Sequence, residues 1–481
     1  MKTPIARGMS VIMILLLLAS APQAWATCGG GGGGGMGGMS SGATPSEQVY
    51  HVPWRVITPQ DAPVTSGLVL YWLPTGAEEV KRSSLLNSRT LSLYASQCVT
   101  MAVVDSTTPL GKKLVGGDKL PVAVLATPDG SPVATAENQN GYLKVDQVEK
   151  LVETEMKKRE SAIKEKMDDA KDKARSGDSQ TAIQEYRAVL EQKCLFPNKA
   201  KDAAKNLKKL GVTDVGQLFD APVFDPAKSA RIDSTMRAGL KAENAGNYPE
   251  AAHLYSAAHK LDPADPTPLR YLGEVYRHDT GEWDLARATF DEILAMPADP
   301  LSRAVALHGL GKMTIHEGDF KKGLALMEQS VQTYPLALAY RNLAVYWNSE
   351  GDKPKTELYV HKALALDPED PYNLIFAAAF MAGNGQGEEA LKIARENEAL
   401  LPASYNLAAI YAQTGGREKA LALLKRHFFE YERYEAVRSK EMMEARVDAV
   451  FVSLKTDPQF VALTAGADDE LDPTSSAFMH H

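Results

Sequence analysis

Residues 267–297 read TPLRYLGEVYRHDTGEWDLARATFDEILAMP. Two runs of helical period flank Gly281, a small residue stands inside each (Gly273 and Ala286), and Pro297 ends the second run. A glycine turn between two amphipathic runs, closed by a residue that cannot continue a helix, predicts a pair of helices. The unit recurs. Pro263, Pro297, Pro335, Pro368 and Pro402 are separated by 34, 38, 33 and 34 residues. A period of this size marks a stack of one supersecondary unit, each copy covering the apolar face of the next.

Within the stack the same residue types return. First helices place Gly239, Gly273, Gly311, Ala344, Ala378 and Ala408 at one position, and second helices place Ala251, Ala286, Gly323, Ala390 and Ala420 at another, with Thr356 the exception. Tyr255, Phe290, Met327, Val360 and Leu424 fill the gaps between layers. This constellation resembles the tetratricopeptide (TPR) repeat family, which implies an all-α superhelical solenoid over residues 232–428 with a concave groove lined by the first helices. Counting from the small positions puts Arg270, Arg277, His308, Lys312, Arg341, Asn348 and Tyr405 on that groove, with Asn342 and Asn406 where the family often holds a ligand backbone. The middle of the groove is then basic and its end toward Tyr405 small and apolar, which suits an extended peptide with a carboxylate in the middle. Residues 429–464 are expected to cap the last repeat.

A different periodicity governs residues 49–150. Apolar runs at Gly67–Leu73, Val99–Asp105 and Val122–Ala126 read as buried strands around a helix near Glu78–Ser96, an α/β layer with a mostly parallel sheet. Tyr71-Trp72, Asp105, Leu120-Pro121 and the Pro128-Asp129-Gly130 turn resemble the thioredoxin-like family. The resemblance implies a cis bond before Pro121 and an active-site dithiol at the positions held here by Thr75 and Glu78. With both thiols missing, thiolate chemistry is lost there. The expected architecture is multidomain: a small α/β thioredoxin-like domain, a charged helix with an atypical first repeat and connector over 151–231, and the solenoid. This order resembles the chaperedoxin type of thioredoxin–TPR fusion, whose repeats hold unfolded clients.

The N-terminus carries Lys2 and Arg7, an apolar stretch from Val11 to Ala21 and Ala24-Trp25-Ala26, the layout of a secretory signal over residues 1–26. Export to the periplasm or outer membrane of a bacterial envelope follows as the expectation. Cys28 opens a Gly/Met-rich leader (27–48); it is either a lipidated anchor, the sole expected link to a membrane, or part of a soluble form cut after Ala26. Residues 465–481 read as an acidic disordered tail. Cys98 and Cys194 either pair or lie buried separately.

A net charge of −8 argues against a general nucleic-acid binder. No His-Glu-x-x-His, Gly-x-Ser-x-Gly, phosphate loop or Cys-x-x-Cys occurs, so no catalytic residue, metal or cofactor is expected. The leading expectation is a non-enzymatic scaffold for another envelope protein or an extended peptide. The alternative is thiol-redox or Cu(I) handling through Cys98, or Cys28 with Met36 and Met39.

Overall fold

The computed structural model describes residues 48–58, 61–117, 119–138, 140–432 and 435–465. Cys28, Met36 and Met39, and with them the signal, leader and acidic tail, lie outside the described residues.

Five strands, β1 (Arg55–Val56), β2 (Leu68–Leu73), β3 (Val99–Val103), β4 (Val122–Ala126) and β5 (Pro132–Glu137), form one sheet in the order β1-β3-β2-β4-β5. β3 runs parallel to β1 and β2, whereas β4 is antiparallel to β2 and to β5. The sheet is therefore mixed rather than mostly parallel. β5 escaped the sequence pattern because half of it faces solvent and carries Thr135 and Glu137. Alternation divides β2 between two layers. Leu68, Leu70 and Trp72 meet Leu91 and Tyr94; Val69, Tyr71 and Leu73 share the other face with Leu114.

The helix expected near Glu78–Ser96 is broken into α1 (Ala77–Arg82) and α2 (Arg89–Ser96). Ser83 and Ser88 turn the chain between them, each accepting a backbone N–H two or three residues on. A short α3 (Pro109–Val115) follows β3. The Leu120–Pro121 peptide is cis. Thr75 and Glu78 stand exposed at the start of α1, where Glu79 accepts the Thr75 N–H and hydroxyl and Glu78 pairs with Lys81.

One helix, α4 (Val145–Arg175), joins the two halves. Val148, Val152 and Met156 pack beneath the sheet, while Ala170 belongs to a second core with Ala182, Tyr186 and Leu207. α5 (Ser179–Leu190) and α6 (Pro197–Lys209) complete that core. Cys98 and Cys194 form a disulfide with their Cα atoms 5.8 Å apart, tying the start of β3 to the α5–α6 connection.

Six antiparallel helix pairs follow: α7 (Pro226–Asn244) with α8 (Tyr248–Leu261), α9 (Thr267–Glu274) with α10 (Trp283–Ala295), α11 (Pro300–His316) with α12 (Phe320–Thr333), α13 (Ala337–Ser349) with α14 (Lys353–Leu366), α15 (Pro371–Gly383) with α16 (Gly387–Glu396), and α17 (Ser404–Gln413) with α18 (Arg417–Arg426). The turns inside the pairs contain Gly246, Gly281, Gly318, Gly351, Gly385 and Gly415, all at φ between 71° and 98°, a region that disfavours any side chain. Pro263, Pro297, Pro335 and Pro368 each lie two residues past a second helix. Close approach explains the small positions: the Phe290 ring is wedged between Gly273 and Gly309, and a Cβ at either would come within 2.4 Å of it.

Beyond α18, a π-helical turn (His427–Tyr431) leads to α19 (Glu435–Val447), a 3-10 segment (Ala449–Leu454) and α20 (Pro458–Thr464). Phe451 and Phe460 close the core of the last pairs together with Phe428.

Candidate partner-binding groove

The residues counted onto the groove do converge, but they do not line an open channel. Arg270, Arg277, His308, Lys312, Asn342 and Tyr405 are all buried. Arg341 is largely covered, Asn406 is half-buried, and Asn348 alone of the set is exposed. Two other segments of the chain lie against these helices, one from each side.

From the C-terminal side comes α19. Its carboxylates Glu441 and Glu444, and Asp448 just beyond its end, recur at i, i+3 and i+7, so they share one face. Glu444 Oε1 lies 2.8 Å from His316 Nε2, Glu441 Oε2 lies 3.5 Å from His427 Nε2, and Asp448 Oδ2 accepts from the Tyr405 hydroxyl at 3.0 Å. Lys440 Nζ sits 3.3 Å above the Trp283 ring. Burial opposes the charge on Glu444, yet His316 and Lys312 outweigh it and hold the carboxyl down at about 2. Met442, Met443 and Ala445 meet Ile375, Ala382, Ala412 and Tyr405 in one apolar core.

From the N-terminal side comes the non-helical segment before β1. The Tyr271 hydroxyl donates to the Val49 carbonyl, and Tyr50 donates to Asp265. His51 is pushed down to about 3 by burial and by Arg270. Further along, Tyr334 donates to the Trp54 carbonyl. Arg89 of α2 completes the junction: it pairs with both Asp262 and Asp265 and donates to Ser229 and the Val223 carbonyl.

Between these two occupants Arg277 and Arg341 find partners within the array, whereas Arg270 Nε and Nη2 are buried without a hydrogen bond. Arg277 pairs with Glu274 at 2.6 Å, and Arg341 donates to Asn373 at 2.6 Å. Burial, then the charges of Arg277, Lys312 and Arg341, pushes His308 far below its usual range. Its neutral Nε2 therefore accepts from Asn342 Nδ2 at 2.8 Å. Glu432, by contrast, is pushed up to about 7 by burial and by Glu441, against the pull of His278.

The occupants escaped the sequence count. Residues 429–464 read as a cap, and nothing local in Val49–Trp54 marks it as a tether. A usable signal existed in Glu441, Glu444 and Asp448, whose spacing and charge complement Lys312 and His316.

Cys98 is held in a disulfide and not as a free thiol, and no feature of the described residues supports the redox alternative there. Among the described residues no group of three or more His, Cys, Asp or Glu is arranged to hold a metal ion, and no helix is long and apolar enough to cross a membrane.

No family model matches the chain. A curated relative, the protein CTR9 homolog of Arabidopsis thaliana, is 25% identical over 235 aligned residues, 38% of this chain. The chain spans about a fifth of that relative, whose matched share is 21%. Among solved structures, PilF of Pseudomonas aeruginosa is similar over 45% of this chain and 99% of its own, at 16% identity and a TM-score of 0.31. The helical part is an array of repeated antiparallel helix pairs.

Proposed function

We propose that the protein is an exported, non-enzymatic scaffold that holds another envelope protein, or an extended segment of one, on the inner face of its TPR-like array. One observation carries this reading. The array already seats polypeptide in two forms, the non-helical Val49–Trp54 and the helical α19, through tyrosine hydroxyls, histidines and apolar floor residues. A surface that satisfies both backbone carbonyls and carboxylates is built for protein rather than for a small molecule.

Export is supported by the Cys98–Cys194 disulfide, since such bonds persist in oxidising compartments. The sheet order and the exposed Thr75 and Glu78 support a thioredoxin-like domain that serves as a rigid brace for the array instead of a redox centre. A lipid anchor at Cys28 would place the scaffold at a membrane surface.

The test is site-specific photo-crosslinking in cells, with the photoreactive residue at exposed Asn348 and, as control, at exposed Leu285 on a second helix. The reading expects one discrete protein captured in the envelope fraction from position 348 and not from 285. Equal capture at both positions, or none at 348, would defeat it.

A further inference from the structure

We propose that α19 is a built-in competitor for the partner, and that the partner displaces it with an acidic amphipathic helix of its own. This deepens the scaffold reading and rests on it. The argument begins with charge. The inner face gathers Lys312 and His316, and the chain answers them with Glu444. The neighbouring floor is apolar, and Met442 and Met443 fill it. The chemistry that would recognise this surface is therefore already displayed: carboxylates at i, i+3 and i+7 beside two flexible apolar residues.

The seam is also poorly satisfied. His278 Nε2, His427 Nδ1, Glu432 Oε1 and Glu441 Oε2 are buried without a hydrogen-bond partner, and each such group opposes docking. Burial likewise lowers Lys440 to about 8, a further cost of keeping α19 in place. Phe451 and Phe460 share the apolar core of Met442 and Met443, and Arg446 of α19 donates to the Thr464 carbonyl of α20, so displacement of α19 requires Phe451 and Phe460 to stay packed on Phe428 without it. A helix held by ion pairs and strained by unsatisfied polar atoms is one that an external helix with better-matched groups replaces.

The test uses the full chain and a fluorescent synthetic peptide of residues 435–448 as probe. In the closed wild type the peptide competes with its own copy. Glu444→Lys removes the His316 contact and is expected to bind the peptide about tenfold more tightly than wild type. Equal affinity of wild type and Glu444→Lys would overturn the proposal, as would no binding by either. Hydrogen exchange on the wild type guards against a misfolded variant: α19 must exchange faster than α11 and α13, and exchange of α19 only at the global unfolding rate sinks the idea. If the peptide binds the opened variant more tightly while position 348 captures no envelope protein, the displaceable docking of α19 stands, and the scaffold assignment fails together with the partner's acidic helix.

Discussion

Arg89 shows how much a single side chain decides here. It lies on α2 of the sheet domain, yet its partners Asp262 and Asp265 belong to the link between α8 and α9. Removing one member of a buried charge cluster leaves the others uncompensated. Arg89→Met is expected to cost about 3–5 kcal/mol in chemical denaturation. Phe290 acts through shape instead. Its ring fills the space between Gly273 and Gly309, so Phe290→Ala opens a cavity and is expected to cost about 3–5 kcal/mol, read as a lower Tm. Two carboxyls set opposite pH responses. Glu444, held at about 2, contributes stability that is full above the usual 4.5 and lost as pH falls toward 2. Glu432, raised to about 7, contributes stability that is full below 4.5 and lost as pH rises through 7. Stability is thus expected to peak near the shared unfolded value, and Glu432→Gln to remove the decline between pH 5 and 8 by at most about 3 kcal/mol, as unfolding measured across pH will check.

At the scale of elements, the repeat helices were legible because each is written locally. The left-handed glycines, the aspartate caps Asp319 and Asp352, and the prolines past the second helices all act within one turn of chain. The broken α1–α2 region was not legible, because two serine caps compete with a helix pattern that is otherwise continuous. α4 hid its role for another reason: its first turns serve the sheet and its last turns serve the α5–α6 core, so composition shows no boundary at residue 150. The disulfide fastens these same elements. Cys98→Ser/Cys194→Ser is expected to lose about 2–4 kcal/mol, since 96 residues of chain regain freedom in the unfolded state. Thiol labelling of the native wild type at Cys98 and Cys194 should be negligible without reductant.

Over the whole molecule, sheet domain, connector and array share buried contacts at the Arg89 cluster, the Tyr271 and Tyr334 hydrogen bonds and the disulfide. Solenoids held only by neighbouring repeats unfold in stages, whereas these clamps couple distant repeats. Calorimetry of the oxidised protein is expected to give one transition, and reduction to split it into two. A split in the oxidised form would show that the clamps do not couple the halves.

The chain by itself determined the repeat, its turns, its small positions and the three apolar strands it marks, because periodicity and backbone preference act over a few residues. It determined the charge of the inner face too, through Arg277, Lys312 and His316. Only the tertiary structure decided what lies against that face. Val49 meets Tyr271 across 222 residues, and Glu444 meets His316 across more than a hundred. Contacts of that span follow from the packing together of segments far apart in the chain, a property that belongs to no local stretch of sequence.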